Sequence, residues 1–250
     1  MTGPFPSTTQ IRSTKGHHIM SNHGGSLSRR SVVSAGAGLV AAAGLGFSAT
    51  PEALAAHAPT PSSADASAKA ARRRLDARLR TGENSANGWP VEKGADIGGS
   101  IWTQAVAGST VRVALRLGDV STILIHVIRR YHYEIDTLVQ DEVIGYRTPG
   151  RALKGPTTNH ASGTALAIRP GAYPPGATGG MFPQQRAIIA DILTECDGVV
   201  RWGGTFRQPY EAHFQINLGP TDPRLAKLAE RIRLQGQTPG HGAGVLALGR

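Results

Sequence analysis

Two of the nine histidines occupy positions from which a side chain can enter a cleft. His160 ends a loop rich in Pro, Gly and Thr just before a predicted strand, and His213 precedes another predicted strand. Imidazole is a common ligand of zinc and other metal ions. The single cysteine, Cys196, lies in an apolar helical pattern and is predicted to be buried rather than reactive. Any metal would therefore be bound by histidines and carboxylates, although either histidine alone is more typical of a core or rim residue.

Four short motifs occur in order around these histidines. They are Gly145-Tyr146-Arg147, residues 160–168, Trp202-Gly203-Gly204 and residues 213–216. Over roughly residues 100–220, they resemble the family of zinc D-alanyl-D-alanine carboxypeptidases and L-alanyl-D-glutamate endopeptidases, which act on peptidoglycan. The pattern of that family is Ser-x-His-x-x-Gly-x-Ala-x-Asp, followed later by a carboxylate, two residues and a second His. Thr158 stands where the family has Ser and keeps the hydroxyl group.

The resemblance implies a hydrolytic chemistry with defined roles. In the family, zinc is bound by the first His, the Asp and the last His, so His160 and His213 become the metal ligands. Zinc lowers the pKa of its bound water, a carboxylate removes the proton, and a cation stabilises the tetrahedral intermediate. By the same resemblance Arg147 binds the substrate or its oxyanion, although an ordinary surface arginine at a strand end is an equal alternative. Glu211 is the candidate base. The implied fold is that of Hedgehog and DD-peptidase domains.

The metal ligands depart from the family at one position. Ala167 stands where the family has its Asp, and alanine has no donor atom. Catalytic zinc sites usually have three protein ligands and a water, so two histidines need a third donor or bind zinc more weakly. Candidate donors that the sequence alone does not place are Asp191, Glu195 and Glu211. If both histidines bind one ion, their ring nitrogens should lie about 3–4 Å apart.

The position of the base departs from the family as well. Tyr210 stands three residues before His213, where the family has its carboxylate. Glu211 follows one residue later, and one step along a regular strand turns a side chain to the opposite face. Glu211 is therefore predicted to act as the base only if the backbone is irregular there, which Pro209 favours.

The spacing of apolar residues predicts a mixed fold. Residues 120–138 place apolar side chains at helical spacing, with Asp119 as the predicted N-cap. Strands separated by loops of unequal length, with few βαβ units, favour a single α+β domain in which helices flank a small antiparallel sheet. The predicted strands are 111–117, 143–146, 165–168, 199–202 and 214–218, and the other predicted helices are 183–196 and 222–234.

Residues 1–55 have the features of a twin-arginine signal peptide. Arg29 and Arg30 precede a weakly hydrophobic segment, residues 32–47, and Ala53 and Ala55 form a small-residue cleavage pattern. The hydrophobic segment is too short, and too rich in Gly and Ala, for a membrane anchor. The sequence therefore predicts an exported chain, secreted or at the cell-wall exterior, with no membrane span after the signal is removed.

Composition divides the remaining chain into three parts. Residues 56–88 are predicted to be a linker, first rich in Ala, Pro and Ser and then basic, with a loop at 81–88. Residues 89–234 are the predicted peptidase-like domain, and residues 235–250 a disordered tail. The formal charge is +10, and most of it lies after residue 55. This favours an anionic partner such as a cell-wall polymer, whereas no nucleic-acid motif accompanies the charge. The oligomeric state and the partner of the basic segment near Arg72 stay open.

Three hypotheses follow from the sequence. The first is a zinc peptidase of the cell wall with a rearranged third ligand and Glu211 as its base. The second is a non-catalytic descendant that binds peptidoglycan peptides, or another partner, through the same cleft. The third is an extracellular structural protein that reuses the scaffold. The two retained histidines favour the first hypothesis, whereas Ala167 and Tyr210 favour the second. Of the three, the sequence favours the peptidase lineage.

Overall fold

The computed structural model describes residues 61–238 and 240–243. Within them, α-helices and β-strands alternate irregularly along the chain. In chain order they are α1 (Pro61–Leu79), β1 (Arg80–Asn84), β2 (Pro90–Glu92), β3 (Ile101–Ala105), β4 (Arg112–Arg116), α2 (Asp119–Glu134), β5 (Val143–Ile144), β6 (Ala165–Ile168), α3 (Pro183–Glu195), β7 (Val200–Trp202), β8 (His213–Ile216) and α4 (Pro223–Gln237). Two 3-10 helices, Gly155–His160 and Gly203–Thr205, precede β6 and follow β7.

The central sheet has four short antiparallel strands in the order β5-β6-β8-β7. Two further antiparallel hairpins, β1–β2 and β3–β4, lie outside this sheet. The predicted α+β class, with small antiparallel sheets flanked by helices, is confirmed. Each predicted strand corresponds to one observed strand, from β4 to β8. The strand β3 was not predicted, although it pairs with β4 along its whole length.

Helix α2 forms the centre of the core. Its apolar side chains recur at intervals of three and four residues, which places them on one face of the helix. That face packs against α4 and the central sheet. The buried apolar residues are Val120, Ile123, Leu124, Val127, Ile128 and Tyr131. The predicted N-cap was wrong by one residue, because Gly118 occupies that position and the Asp119 carboxylate instead accepts a hydrogen bond from Arg233 at 2.6 Å.

Residues 61–84 form a helix and a strand that the sequence did not predict. Helix α1 and strand β1 lie within residues 56–88, which we expected to be a linker, and β1 occupies part of the expected loop at 81–88. Alanine is the strongest helix former, so the Ala-rich composition that suggested a linker also suits a helix. The loop after β1 is tied to the central sheet, since the Asn87 amide donates to the Ile216 carbonyl at 2.8 Å.

Helix α2 ends at Glu134, four residues before its predicted end, and the other predicted elements differ by at most three residues at either end. Helix α4 extends to Gln237, slightly into the predicted tail, and the predicted signal peptide lies outside the described residues. No helix among residues 61–238 is long and apolar enough to cross a membrane. Cys196 is buried as predicted, and burial raises the pKa of its thiol to about 12.

Candidate functional site

The central sheet brings the two predicted metal ligands together. Strands β6 and β8 are antiparallel, with Ala167 opposite His213, and His160 ends the 3-10 helix just before β6. The Nε2 atom of His160 lies 3.2 Å from Nδ1 of His213. The exposed fractions of the two residues are 1% and 0%. The separation of the nitrogens falls within the range of about 3–4 Å expected for two ligands of one zinc ion.

A backbone carbonyl determines which nitrogen of His160 has the proton. Nδ1 of His160 lies 2.6 Å from the carbonyl oxygen of Gly145. A carbonyl oxygen only accepts hydrogen bonds, so Nδ1 must donate an N–H. In the neutral ring, Nε2 therefore has the lone pair, and Nε2 is the atom that faces His213.

A chain of polar groups determines the tautomer of His213. The backbone N–H of Asn87 donates to Oδ1 of Asn159 at 3.0 Å, so the other side of that amide is its NH2 group. This NH2 group donates to Oε1 of Gln215 at 2.9 Å, and the same oxygen lies 3.0 Å from Nε2 of His213. Nε2 of His213 must therefore donate, which leaves the lone pair on Nδ1, facing His160.

Two lone pairs thus converge in the interior of the protein. Burial lowers the pKa of His160 to about 3 and the pKa of His213 to about 4, so both rings are neutral at pH 7. Two acceptor nitrogens 3.2 Å apart cannot hydrogen-bond to each other, so their contact is favourable only when a proton or a metal ion lies between them. Each ring is also oriented by a hydrogen bond from its other nitrogen, as metal-binding histidines are. The pair fits two positions of a metal site.

The third family ligand is missing from this face of the sheet. Residues directly opposite each other in antiparallel strands project their side chains to the same side. The methyl group of Ala167 therefore lies on the side of His213. Within the part of the chain that the structure describes, no group of three or more His, Cys, Asp or Glu side chains is placed to bind a metal. The residues present do not fit the three-ligand set of a catalytic zinc site.

Two of the candidate third donors have other partners. The Glu195 carboxylate lies 3.0 Å from Nε2 of His126 and accepts from Arg130 at 2.6 Å, and Asp191 accepts from Arg130 at 2.8 Å. The hydrogen bond to His126, with the charge of Arg130, lowers the pKa of Glu195 to about 2. These carboxylates link α3 to α2 and do not supply a third ligand to the metal site of the histidine pair.

Glu211 lies in irregular backbone, which was the condition for its predicted role as base. Strand β8 begins only at His213, and Glu211 precedes it in a turn. The residue is 5% exposed, and its two carboxylate oxygens accept the backbone N–H groups of Gly179 at 2.9 Å and Gly180 at 3.0 Å. The carboxylate thus holds the loop between β6 and α3. In the described chain, no hydrogen bond joins this carboxylate to either histidine of the pair.

Aromatic rings pack against His213 from the segment that follows β7. The ring of Tyr210 is stacked on His213 with 5.7 Å between centroids, and the ring of Phe206 is tilted against it at the same distance. Tyr210 is buried, and burial raises the pKa of its hydroxyl group. At the family's base position this protein therefore has a neutral aromatic side chain. Phe206 is half-buried, with the guanidinium of Arg201 over its ring at 4.8 Å.

Arg147 supplies a positive charge near the histidine pair. Its backbone N–H donates to the His160 carbonyl at 3.3 Å, and its side chain is exposed. Among the described residues, no carboxylate lies within ion-pair distance of its guanidinium. After burial, the charge of Arg147 is among the effects that lower the pKa of His160. The guanidinium is therefore available to an anionic ligand.

Comparisons with protein-family models, with curated proteins and with solved structures gave no match for this chain. The family resemblance therefore rests on the motifs and on their placement. Asn159 and Gln215 were not predicted to be parts of the site. The two-residue spacing of Gln215 from His213 was a usable signal, because residues two apart in a strand project to the same face.

Proposed function

We propose that this protein is exported and binds peptidoglycan peptides without cleaving them, on the scaffold of the zinc peptidases that it resembles. The observation behind the proposal is Ala167, whose methyl group lies beside His213 where the family has a metal-binding carboxylate. The stacked ring of Tyr210 and the bonded carboxylate of Glu211 support the same conclusion. Hydrolysis by this family requires both a complete zinc site and an available base.

Arg147 is the proposed contact for the ligand. Its side chain is exposed, its charge contributes to the lowered pKa of His160, and it has no carboxylate partner in the described chain. A guanidinium binds a carboxylate through two parallel hydrogen bonds, and peptidoglycan peptides have free carboxylates. The partly exposed ring of Phe206, which packs on His213, offers apolar surface for the rest of the peptide.

The test measures binding and cleavage of purified peptidoglycan peptides by the full chain. We expect measurable affinity and no new fragments by chromatography. Arg147→Ala should weaken binding about tenfold or more, because a hydrogen bond to a charged group contributes roughly 1.5–3 kcal/mol. Arg151→Ala is the matched control, since it removes another exposed arginine close in sequence. Equal binding by both variants, or cleavage by the unmodified chain, would contradict the proposal.

A zinc peptidase is the second candidate function. The converging lone pairs of His160 and His213 favour it, because a ligand pair is oriented in advance. These two residues would bind the ion, and zinc would supply a more acidic water if a third donor completed its coordination. Metal analysis of the purified chain distinguishes the candidates. Stoichiometric zinc that His160→Ala abolishes, together with peptide cleavage, would favour the enzyme, whereas a zinc-free chain that binds peptides supports the first proposal.

Export through the twin-arginine route is part of the same proposal. Arg29 and Arg30, with the hydrophobic segment after them, support it. Cell fractionation tests it by the size and location of the product. Lysine substitutions at both positions should leave the precursor inside the cell. The control is a chain with Arg72→Lys and Arg73→Lys, which also keeps its net charge. It should still be exported and processed.

A further inference from the structure

The positive charge of the chain is concentrated in one element. Residues 61–80 contain six basic and two acidic side chains, whereas residues 81–250 contain 17 basic and 14 acidic ones. Helix α1 therefore has about half of the excess charge that follows the predicted signal peptide. Its C-terminal end is fixed to the fold, because the backbone N–H and Nζ of Lys93 donate to the carbonyls of Leu79 and Ala77, each at 2.8 Å.

The arginines of α1 are exposed and unpaired. Four guanidinium groups extend from fewer than two helical turns, Arg72 to Arg78, and all four residues are exposed. In the described chain, none of the four is within ion-pair distance of a carboxylate; the one ion pair at this helix joins Arg80 to Asp76. Like charges this close on a helix repel each other. An anionic partner would relieve that repulsion.

A groove adjoins the same helix. Its volume is about 240 Å³, and it lies between α1 and the loop of residues 98–100. Arg72, Leu75 and Arg80 line it on the helix side and Gly98 and Gly99 line the opposite side, and the carboxylates of Asp76 and Glu92 line it as well. Asp76 is paired with Arg80, and Glu92 with Arg116. The groove is thus partly apolar, and in the described chain Arg72 is its unpaired cation. These features suit an extended chain whose charged groups alternate with uncharged links.

We propose that α1 and the adjoining groove bind a linear polyol-phosphate polymer of the cell wall. The proposal rests on the proposed export, which places the protein beside such polymers. Arginine favours phosphate because its planar guanidinium forms paired hydrogen bonds with phosphate oxygens. The exposed cations of residues 72–78 are all arginines.

The composition of α1 argues against two other polyanions. Insertion into an anionic membrane requires an apolar helix face, whereas the large apolar residues of α1 are Leu75 and Leu79, and Leu79 is buried in the fold. Single-stranded nucleic acid is bound through aromatic side chains on which bases stack, and α1 has none. A phosphate polymer without bases needs neither feature.

The experiment uses the full chain and labelled poly(glycerol phosphate), with binding followed by fluorescence anisotropy at low and high salt. The test variant changes four residues to glutamine: Arg72, Arg73, Arg74 and Arg78. The control removes the same charge from four exposed positions elsewhere: Arg112, Arg151, Arg186 and Lys227. Glutamine keeps nearly the helix propensity of arginine, and circular dichroism verifies that both variants fold.

We expect the test variant to bind the polymer at least about tenfold more weakly at low salt, and the salt dependence of binding to become shallower. The control should bind like the unmodified chain. Equal losses in both variants would show an effect of net charge alone and overturn the assignment to α1, as would no loss in the test variant. Tighter binding to duplex DNA or to phosphatidylglycerol vesicles would overturn the choice of partner.

The same variants separate this inference from the proposed function. The test variant should still bind peptidoglycan peptides, and Arg147→Ala should still bind the polymer. A chain that binds the peptides and not the polymer contradicts this inference alone. A chain that binds the polymer and not the peptides contradicts the proposed peptide binding alone.

Discussion

At the scale of single residues, the histidine pair shows how a proton position can be set from a distance. The N–H of Asn87 orients Asn159, which orients Gln215, which determines the tautomer of His213. None of these steps involves a charged side chain. The pair is therefore held with both lone pairs inward, although the carboxylate that completes the site in the family is absent.

The tautomers are directly measurable by nitrogen NMR at pH 7. We expect Nε2 of His160 and Nδ1 of His213 to be unprotonated. Gln215→Met should destabilise the protein by about 1–3 kcal/mol, because the buried N–H groups of His213 and Asn159 lose their acceptor. It should also allow His213 to populate its other tautomer. Protonated nitrogens at the two facing positions would contradict this account.

Adding a carboxylate at position 167 should strengthen metal binding. Ala167→Asp places a donor opposite His213, so zinc affinity should rise at least about tenfold, which corresponds to about 1.4 kcal/mol. Without metal the variant should be less stable than the unmodified chain, because Ala167 is 2% exposed and an unpaired buried carboxylate is unfavourable. Calorimetric titration and thermal unfolding, with and without zinc, measure both effects.

The control for that experiment combines Ala167→Asp with His160→Ala. It keeps the buried carboxylate and removes one imidazole, so the gain in zinc affinity should disappear while the loss of metal-free stability remains. An equal gain in both variants would place the zinc outside the histidine pair. In that case the family alignment of Ala167 with the metal-binding aspartate would be wrong.

At the scale of elements, the predictable parts were those with a strong local pattern. The spacing of apolar residues located α2, and short apolar runs located β4 to β8. Strand β3 has a polar middle, Thr103 and Gln104, and depends on its pairing with β4, so no local pattern indicated it. Helix α1 was missed because Ala, Ser and Arg suit both a linker and an exposed helix. The partners of Glu211 could not be predicted, because they are backbone groups of a distant loop.

The loop between β6 and α3 should depend on Glu211 for its order. Glu211→Ala removes the acceptors of two backbone N–H groups, so hydrogen exchange at Gly179 and Gly180 should accelerate about tenfold or more. Glu211→Gln keeps one acceptor and should have an intermediate effect. Global stability should fall by about 1–3 kcal/mol in the alanine variant.

Hydrogen exchange of the α2 amides is the internal control, because neither hydrogen bond of the Glu211 carboxylate involves this helix. Its slow amides should follow only the change in global stability. If the amides of Gly179 and Gly180 keep their protection in Glu211→Ala, the carboxylate does not hold the loop, and its availability as a base has to be reconsidered.

At the scale of the whole molecule, the buried histidine pair and the partly exposed carboxylate of Glu195 make stability depend on pH in overlapping ranges. The histidine pair is buried and neutral, with pKa values lowered from 6.5 to about 3 and about 4. Its contribution is complete above pH 6.5 and is lost as the pH falls toward those values, because the unfolded chain binds protons first. Glu195, whose pKa is lowered from 4.5 to about 2, contributes fully above pH 4.5 and loses its contribution between there and pH 2.

We therefore expect the free energy of unfolding to fall continuously on acidification from pH 6.5, by up to about 1.4 kcal/mol per pH unit for each group that takes up a proton. His213→Gln should flatten the dependence between pH 6.5 and 4 and leave the lower range unchanged. Glu195→Gln should flatten the range between pH 4.5 and 2 and leave the upper range unchanged. Urea unfolding across this pH series measures the slopes. An unaltered slope above pH 4.5 in His213→Gln would mean that the pair is not buried in its neutral form, and the inward lone pairs inferred for it would be wrong.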